Sequence, residues 1–246
     1  MSSSVPPMSS LTVRIGITAH LDLVTNEDGD GILHYVASAP YVKAVRRAGA
    51  LPVLLPVVEP MDAAAMLAVV DALIITGGCD VDPTNYGASA EPGLGPTDLV
   101  RDAADLAITR AAVVCNMPTL ATCRGIQVLN VAMGGTLTQH IDDHMRVDLY
   151  NQAAHSVDIE PGSRLASILG TEAVGVNSLH HQVIDRLGRG VRAVAHNHDG
   201  QVEAIEIDGA PAVLGVQWHP ELLRHRGDHL ALFEDLVQQV LDHRRA

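Results

Sequence analysis

Aromatic residues are scarce in this sequence, which has one Trp, one Phe and four Tyr among its 246 residues. The core must therefore be filled mainly by aliphatic side chains. Hydrophobic residues still make up 47% of the chain and charged residues 18%, which is typical of a compact globular protein and not of a disordered or fibrous one. One α/β domain accounts for this length. We expect a single domain over residues 11–246, preceded by a disordered Ser- and Pro-rich leader over residues 1–10.

Clusters of basic residues are also missing from the sequence. The chain has 16 Lys and Arg residues against 29 Asp and Glu residues, which gives a net charge of −13 at pH 7. No basic run could neutralise a phosphate backbone, so nucleic acid is excluded as a partner.

Long apolar runs do not occur either. No segment reaches the roughly 18 consecutive apolar residues that a membrane span requires. The first residues lack the cationic start and the apolar stretch of a secretory signal. We therefore expect a soluble, cytoplasmic protein with no membrane partner.

Cysteine is represented only by Cys79, Cys115 and Cys123. An odd number without a C-x-x-C pair argues against a disulfide framework, a zinc site of that type and a redox pair. Cys115 lies in an apolar helical stretch, which predicts a core position. The pattern leaves room for one catalytic thiol.

Metal and cofactor motifs are weak or missing. His140 and His144 have the i, i+4 spacing with which a helix could hold a metal, and Asp142 and Asp143 lie between them. No third ligand is evident, so we expect no metal. The sequence also lacks a G-x-x-x-x-G-K-[ST] phosphate loop, and no ATP, nicotinamide, flavin or other cofactor is expected.

Short apolar segments alternate with amphipathic ones along the chain. VRIGITA and DALIITGG are typical of buried strands, and YVKAVRRAG has helical spacing and ends at Gly49. We predict an α/β fold with a mainly parallel sheet flanked by helices on both faces. Residues 79–96 follow a strand and should form a loop at the carboxyl edge of the sheet, with Thr97 capping the next helix.

The segment PTLATCRGIQVLN contains the candidate nucleophile. A short apolar strand leads into Cys123, Gly125 permits a tight turn, and an apolar helix begins at once. The unpaired N–H groups and the dipole of a helix N-terminus favour a thiolate. The alternative is a buried, inert cysteine, and this segment alone does not decide between the two.

The segment GVQWHPE supplies a base and an orienting group. An apolar strand ends at Trp218 and is followed by His219 and Glu221. In a parallel sheet this strand end lies on the same edge as Cys123. A carboxylate bonded to the far ring nitrogen would fix the tautomer of the base. The alternative for His219 is a surface histidine, but its combination with Cys123 favours a Cys–His–Glu triad.

These segments carry a family likeness over nearly the whole chain. TCRGIQ and GVQWHPE resemble the class I glutamine amidotransferase-like superfamily. VNSLHHQVID, GGCDVDP and the pair Arg101–Asp102 resemble its γ-glutamyl-γ-aminobutyrate hydrolase branch. The resemblance implies a flavodoxin-like class I glutamine amidotransferase fold. Two departures from the superfamily pattern are Ala121 and Cys79, which stand where glycine is common.

The resemblance also implies a role for each matching residue. Cys123 would be the nucleophile, His219 the general base and acid, and Glu221 its orienting group. The oxyanion hole would be formed by the backbone N–H groups of Gly78 and Arg124. Contacts with the glutamyl part of the substrate are implied for Gln127, Asn177, Ser178 and His180. Alternatively, Gln127 is a solvent-facing helix residue, and His180 and His181 form a structural pair.

The expected function is hydrolysis of a γ-glutamyl amide, such as γ-glutamyl-γ-aminobutyrate, through a cysteinyl acyl-enzyme. The setting would be the catabolism of γ-glutamylated amines, including polyamine catabolism. One alternative is a glutaminase that delivers ammonia to a synthetase partner. Another is a catalytically silent binding module, against which the intact triad argues. A homodimer is possible.

Overall fold

A computed structural model describes residues 12–26 and 29–245. The predicted leader over residues 1–10 lies outside the described residues. The strands of the described residues are β1 (Arg14–Thr18), β2 (His20–Thr25), β3 (Gly31–Val36), β4 (Leu51–Leu55), β5 (Ala72–Ile75), β6 (Thr119–Thr122), β7 (Leu137–Thr138), β8 (His155–Ile159), β9 (Ala173–Val176), β10 (Val183–Ile184), β11 (Val191–Asn197), β12 (Val202–Ile207) and β13 (Val213–Val216). The α-helices are α1 (Ala39–Arg47), α2 (Ala63–Leu67), α3 (Leu99–Val114), α4 (Arg124–Ala132), α5 (Arg164–Leu169) and α6 (Gly227–His243).

Nine of these strands form one sheet, in the order β4-β1-β5-β6-β13-β12-β11-β8-β9. The first five are parallel to one another. The remaining four extend the sheet through antiparallel pairs. The predicted mainly parallel α/β sheet is confirmed, and its parallel half contains the strands that precede the candidate site residues.

Helices cover both faces of the sheet because successive side chains of a strand point to opposite sides. In β5, Ala72 and Ile74 pack into the hydrophobic cluster that contains α1 and α6, whereas Leu73 and Ile75 pack into the cluster that contains α2, α3 and α4. All four side chains are fully buried. The central strands therefore read as continuous apolar runs, as expected of strands covered on both faces.

Three neighbouring parallel strands end at the same edge of the sheet. After β5 the chain continues to Gly77 and Gly78, after β6 to Cys123, and after β13 to His219. The strand order brings these three ends together although β13 is distant from β6 in the sequence. This edge therefore carries all the predicted catalytic groups.

The start of α3 differs from the prediction. Its N-cap is Asp98, whose Oδ1 accepts hydrogen bonds from the N–H groups of Val100 and Arg101 at 3.0 Å each. Thr97 was predicted to cap this helix, but its hydroxyl donates to Asp82 Oδ2 at 3.0 Å. A carboxylate at the cap also interacts favourably with the helix dipole.

A two-stranded ribbon, formed by β2 and β3, was not predicted. The strands pair in antiparallel register outside the main sheet, and Leu23, Leu33 and Tyr35 are exposed on them. The Tyr35 hydroxyl donates to the carbonyl of Val57 at 3.4 Å. Among the described residues, no helix has the length and apolarity to span a membrane. The assignment of residues 11–246 to one domain stays a prediction.

Candidate active site

Cys123 occupies the turn between β6 and α4 with a backbone φ of 53°. This region disfavours non-glycine residues, and such strain persists only where the surroundings enforce it. The Cys123 N–H donates to Val216 O of β13 at 2.9 Å, which fixes the turn against the neighbouring strand. A side chain at Gly125 would overlap the Ile75 carbonyl oxygen. Glycine is therefore required for α4 to begin so close to β5.

His219 and Glu221 form a hydrogen-bonded pair beside this turn. His219 Nδ1 lies 2.6 Å from Glu221 Oε1, and the Glu221 side chain is 2% exposed. A carboxylate only accepts hydrogen bonds, so His219 Nδ1 carries a proton and donates it to Glu221 Oε1. His219 Nε2 is therefore available to interact with the Cys123 thiol. A Cβ built on Gly77 would lie 3.4 Å from both Cys123 Cβ and His219 Nε2. The side chains of Cys123 and His219 therefore lie close together beside Gly77.

The His219 pKa shows how strongly this environment favours the imidazolium. Burial lowers the pKa, but the negative charges on Cys123 and Glu221 and the hydrogen bonds to both outweigh burial and hold the pKa well above its ordinary value. Opposite charges at close range have this effect. The arrangement therefore favours a protonated His219 between the Cys123 side chain and the Glu221 carboxylate.

Asn177 fixes the backbone of His219 rather than lining the pocket. Its Oδ1 accepts from the His219 N–H at 2.9 Å, and its Nδ2 donates to the carbonyls of His219 at 3.1 Å and Tyr150 at 2.9 Å. Ser178 donates to the carbonyl of His144 at 2.6 Å. Neither residue lines the cavity at Cys123, so their predicted contact with substrate has no counterpart in the cavity wall.

Gly78 and Arg124 border the same cavity, as expected of oxyanion donors. Arg124 is the first residue of α4, and the first N–H groups of a helix have no partner within it. Gly77, which precedes Gly78, gives its N–H to the Tyr41 hydroxyl at 3.1 Å. Tyr41 is 2% exposed and also bonds to Thr122 Oγ1 at 2.7 Å. Tyr41 therefore ties the ends of β5 and β6 together, a role for which the sequence gives no signal.

The cavity in front of Cys123 has a volume of about 190 Å³. It is lined by Gly78, Cys79, Asp80, Pro96, Cys123, Arg124, Gln127, Met145, Leu179, His180, His181 and Gln182. A larger cavity of about 840 Å³ lies beside Cys115 and Met117, at the start of β6, and none of the predicted site residues lines it. Of the two cavities, only the smaller one is lined by predicted site residues.

Gln127 and His180 both lie in the wall of this cavity. Gln127 is buried, and its Nε2 donates to the Gln182 carbonyl at 2.9 Å. The solvent-facing alternative for Gln127 is therefore wrong. His180 Nδ1 lies 3.3 Å from the same carbonyl, and burial lowers its pKa to about 3. His180 is neutral near pH 7, with the proton on Nδ1.

His181 makes different contacts from His180, so the two do not form a pair. His181 Nδ1 lies 3.0 Å from His140 Nδ1, and its Nε2 lies 3.0 Å from Asp80 Oδ1. His140 and His144 lie outside any helix. Within residues 12–26 and 29–245, no group of three His, Cys, Asp or Glu residues could hold a metal ion.

The other two cysteines differ from Cys123 in their surroundings. Cys79 is half-buried and lines the cavity beside Gly78. Cys115 is exposed at the C-terminal end of α3, so its predicted core position is wrong. The helix ends at Val114, and Cys115 is its C-cap.

Comparisons with known proteins agree on a family and a fold. The family described as Peptidase C26 matches residues 14–221. A provisionally named glutamine amidotransferase of Mycobacterium tuberculosis is 39% identical over 235 residues, which cover 91% of this chain and 73% of the relative. The gamma-glutamyl-gamma-aminobutyrate hydrolase of Escherichia coli is 34% identical over 197 residues, or 74% of this chain and 76% of the relative.

A solved structure shows the same fold at low identity. It belongs to a provisionally named GMP synthase protein of Thermoplasma acidophilum and aligns with a TM-score of 0.66 at 14% identity. The alignment covers 95% of this chain and 96% of the other. The glutamine amidotransferase-like fold expected from the motifs is confirmed.

Proposed function

Because the chain belongs to the Peptidase C26 family of class I glutamine amidotransferase-like proteins, we propose that it hydrolyses the amide bond of γ-glutamyl amines through a cysteinyl acyl-enzyme. The observation that supports this most directly is the meeting of Cys123 with the His219–Glu221 pair at the ends of adjacent strands. The γ-glutamyl substrate class rests on the relative named as a gamma-glutamyl-gamma-aminobutyrate hydrolase.

The first step is formation of the acyl-enzyme. The Cys123 thiolate attacks the γ-carbonyl carbon, and the carbonyl oxygen takes up the negative charge. The N–H groups of Gly78 and Arg124 donate to that oxygen, which stabilises the tetrahedral intermediate. When the C–N bond breaks, the leaving amine takes the proton from His219 Nε2, and a thioester remains on Cys123.

The second step is hydrolysis of the thioester. His219, now neutral, removes a proton from a water molecule, and the resulting hydroxide attacks the acyl carbon. The C–S bond breaks, glutamate leaves, and the thiolate–imidazolium pair is restored. Glu221 stabilises the imidazolium in both steps without giving up its charge. His219 therefore carries out both proton transfers, first to the leaving amine and then from water.

The small cavity is consistent with recognition of the glutamyl part of the substrate. Its volume of about 190 Å³ suits a short, polar acyl group better than a bulky one. Gln127 lines it one helical turn after the nucleophile. Asp80 and His181 also line the cavity, and His181 Nε2 lies 3.0 Å from Asp80 Oδ1.

Ammonia delivery to a synthetase is the second candidate function, because relatives are named as glutamine amidotransferases. Under that function the leaving amine is ammonia and a partner protein consumes it. Glutamine turnover would then be slow for the isolated chain and faster when the partner is added. A homodimer and a cytoplasmic location stay predictions.

A substrate screen tests the proposal. The purified chain is incubated with γ-glutamyl-γ-aminobutyrate, other γ-glutamyl amines, glutamine and an α-glutamyl amine, and the released amine is measured. We expect release from the γ-glutamyl amines, little from the α-linked compound, and none with Cys123→Ala. Cys115→Ala removes an exposed thiol outside the cavity and serves as the matched control.

Two outcomes would contradict the proposal. One is full activity in Cys123→Ala, which would place the nucleophile elsewhere. The other is a wild-type chain that cleaves glutamine alone and only with an added synthetase, which would favour ammonia delivery. Trapping of the thioester on Cys123 by rapid acid quench, followed by mass spectrometry, separates covalent catalysis from direct attack by water.

A further inference from the structure

A buried network of charged side chains lies next to Gly78 and includes the side chain of Arg124, the two residues that provide the oxyanion donors. Its members are Arg101, Asp102 and Asp105 of α3 and Arg124 of α4. None of them is more than 3% exposed, and they provide two positive and two negative charges. The mechanism proposed above uses none of these side chains.

Arg101 holds the turn that contains Gly78. Its Nη2 donates to Gly77 O at 2.8 Å and to Thr76 Oγ1 at 3.1 Å. A Cβ built on Gly78 would overlap Nη1 of the same guanidinium. The guanidinium thus occupies the space of a side chain at position 78 and binds the carbonyl of the preceding residue.

Arg124 is tied to the same network through its side chain. Its Nη1 donates to Asp105 Oδ2 and its Nη2 to Asp102 Oδ1, each at 2.5 Å. Asp105 Oδ2 also accepts from Arg101 Nε at 3.2 Å. Asp105 Oδ2 therefore links Arg101, which contacts the turn at Gly78, to Arg124, whose backbone N–H is the second oxyanion donor.

Asp102 extends the network to the loop that covers the cavity. Its Oδ2 accepts from the N–H of Asp82 at 2.9 Å and from Asn85 Nδ2 at 2.8 Å. The beginning of that loop follows directly from Gly78. Arg101 thus binds the Gly77 carbonyl in the turn after β5. Asp102 binds the N–H of Asp82 in the loop that follows this turn.

Stability alone does not account for such a network. Removing charges from water costs several kcal/mol per ion, and replacing a buried ion pair with apolar side chains is often neutral or stabilising. What a guanidinium provides instead is fixed geometry, because its donors form a rigid planar group that binds several acceptors at once. Oxyanion donors need that geometry, since they act only when they lie about 2.7–3.1 Å from the developing charge.

We propose that Arg101 is a positioning residue that fixes the Gly78 N–H relative to the Arg124 N–H and so sets the geometry of the oxyanion hole. This inference rests on the proposed function, because it assigns Gly78 and Arg124 as the oxyanion donors. Arg101 itself touches neither the substrate nor the thiol. Loss of Arg101 should therefore lower kcat and leave KM almost unchanged, because the ground-state carbonyl depends less on the hole than the transition state does.

The main test compares Arg101→Gln and Arg101→Lys with the wild-type chain. We expect kcat to fall about 10- to 100-fold in both, the loss expected for a donor that is misplaced but not removed. Lysine keeps the charge for Asp105 but lacks the rigid planar group, so Arg101→Lys tests geometry in a folded protein if Arg101→Gln is unstable. Arg164→Gln removes another partly buried arginine, paired with Asp235 outside this cavity, and should leave kcat unchanged.

A glutamate-derived aldehyde provides a readout that a purely structural role would not move. The Cys123 thiol adds to its carbonyl, and the oxygen of the resulting hemithioacetal lies in the oxyanion hole. Its affinity should fall by the same factor as kcat in the Arg101 variants, whereas the affinity for an unreactive γ-glutamyl ligand should not change.

Gly78→Ala tests the same contact from the other side. The new methyl group would displace the Arg101 guanidinium, so the variant should lose activity to a similar extent as Arg101→Gln. The double variant should be no worse than either single variant, because residues in contact are not additive. Gly227→Ala, where a Cβ meets nothing within 4 Å, is the matched control.

The outcomes separate this inference from the proposed function. An active wild-type chain whose kcat is unchanged in Arg101→Gln and Arg101→Lys would overturn the positioning role and leave the hydrolase intact. A crystal structure of Arg101→Lys with the Gly77–Gly78 backbone unmoved would overturn it whatever the activity. If the wild-type chain cleaves no γ-glutamyl amide, the proposed function fails, and a displaced Gly77–Gly78 turn in that structure would still support the positioning role.

Discussion

Two histidine–glutamate pairs with buried carboxylates occur among the described residues, and only one lies beside Cys123. His219 bonds to Glu221 at 2.6 Å, and His155 Nε2 lies 3.0 Å from Glu203 Oε1. Both carboxylates are almost fully buried. The second pair has the same chemistry without a thiol in contact, which makes it an internal control for the role of the first.

We predict that Glu221→Gln lowers kcat by about 10²- to 10⁴-fold, because glutamine keeps the size but loses the charge that stabilises the imidazolium. Glu203→Gln should leave kcat close to the wild-type value. Both are measured with the best substrate of the screen. Equal activity of Glu221→Gln and the wild-type chain would remove Glu221 from the mechanism and reduce the triad to a Cys–His dyad.

At the scale of single residues, the sequence predicted the reactive side chains better than it predicted the residues that hold them in place. Cys123 and His219 each follow a short apolar strand, so strand ends alone suggest that they meet. Tyr41 and Asn177 act through contacts with residues far away in the chain, and nothing in their local pattern indicates such contacts. The local pattern around Arg101 gives no sign of its role, because the Gly77 carbonyl that it binds lies far away in the chain and approaches it only in the folded protein.

At the scale of secondary structure, α3 shows why a cap is hard to place from sequence. Thr97 and Asp98 are adjacent and both favour the N-cap position. The structure uses Asp98, because Thr97 is engaged with Asp82 in the preceding loop. Similarly, β2 and β3 were missed because their side chains are largely exposed and give no buried apolar run.

We predict that Asp98→Ala costs about 1 kcal/mol of unfolding free energy, the usual effect of losing an N-cap carboxylate. Thr97→Ala should cost less, because it removes one hydrogen bond near the surface and no cap. Urea denaturation of both variants measures the difference. A larger loss in Thr97→Ala than in Asp98→Ala would contradict the assignment of the cap.

At the scale of the whole molecule, the parallel half of the sheet was easier to predict than the antiparallel half. Strands that alternate with helices must connect by crossovers, which implies parallel pairing. Short turns connect β11, β12 and β13, but α5 lies between β8 and β9, and the sequence pattern does not reveal that these two strands form the far edge. The insertion of β13 beside β6 is a long-range pairing that turn chemistry cannot specify.

The stability of the whole chain should depend on pH through a buried histidine of α6. His229 is fully buried, its Nε2 donates to Gly175 O at 3.1 Å, and burial lowers its pKa to about 4. The unfolded chain binds this proton near pH 6.5, whereas the folded chain binds it only near pH 4. Stability is therefore lost as the pH falls from about 6.5 to about 4, by an amount on the order of 3 kcal/mol.

His229→Gln tests this prediction. Glutamine can still donate to Gly175 O but does not titrate, so the variant should lose less unfolding free energy than the wild-type chain between pH 6.5 and pH 4. Denaturant unfolding at several pH values measures both. Identical pH profiles would show that other groups, among them His180, cause the acid sensitivity.

The position of β13 between β6 and β12 also has a consequence during synthesis. The ribosome makes the nucleophile elbow long before it makes the strand that carries the base. Until β13 inserts, the Cys123 N–H has no Val216 carbonyl to bind, and the thiol has no imidazole beside it. The Cys–His–Glu arrangement and the bond that fixes the Cys123 turn are therefore complete only once β13 has joined the sheet, so triad-dependent acylation requires the finished fold.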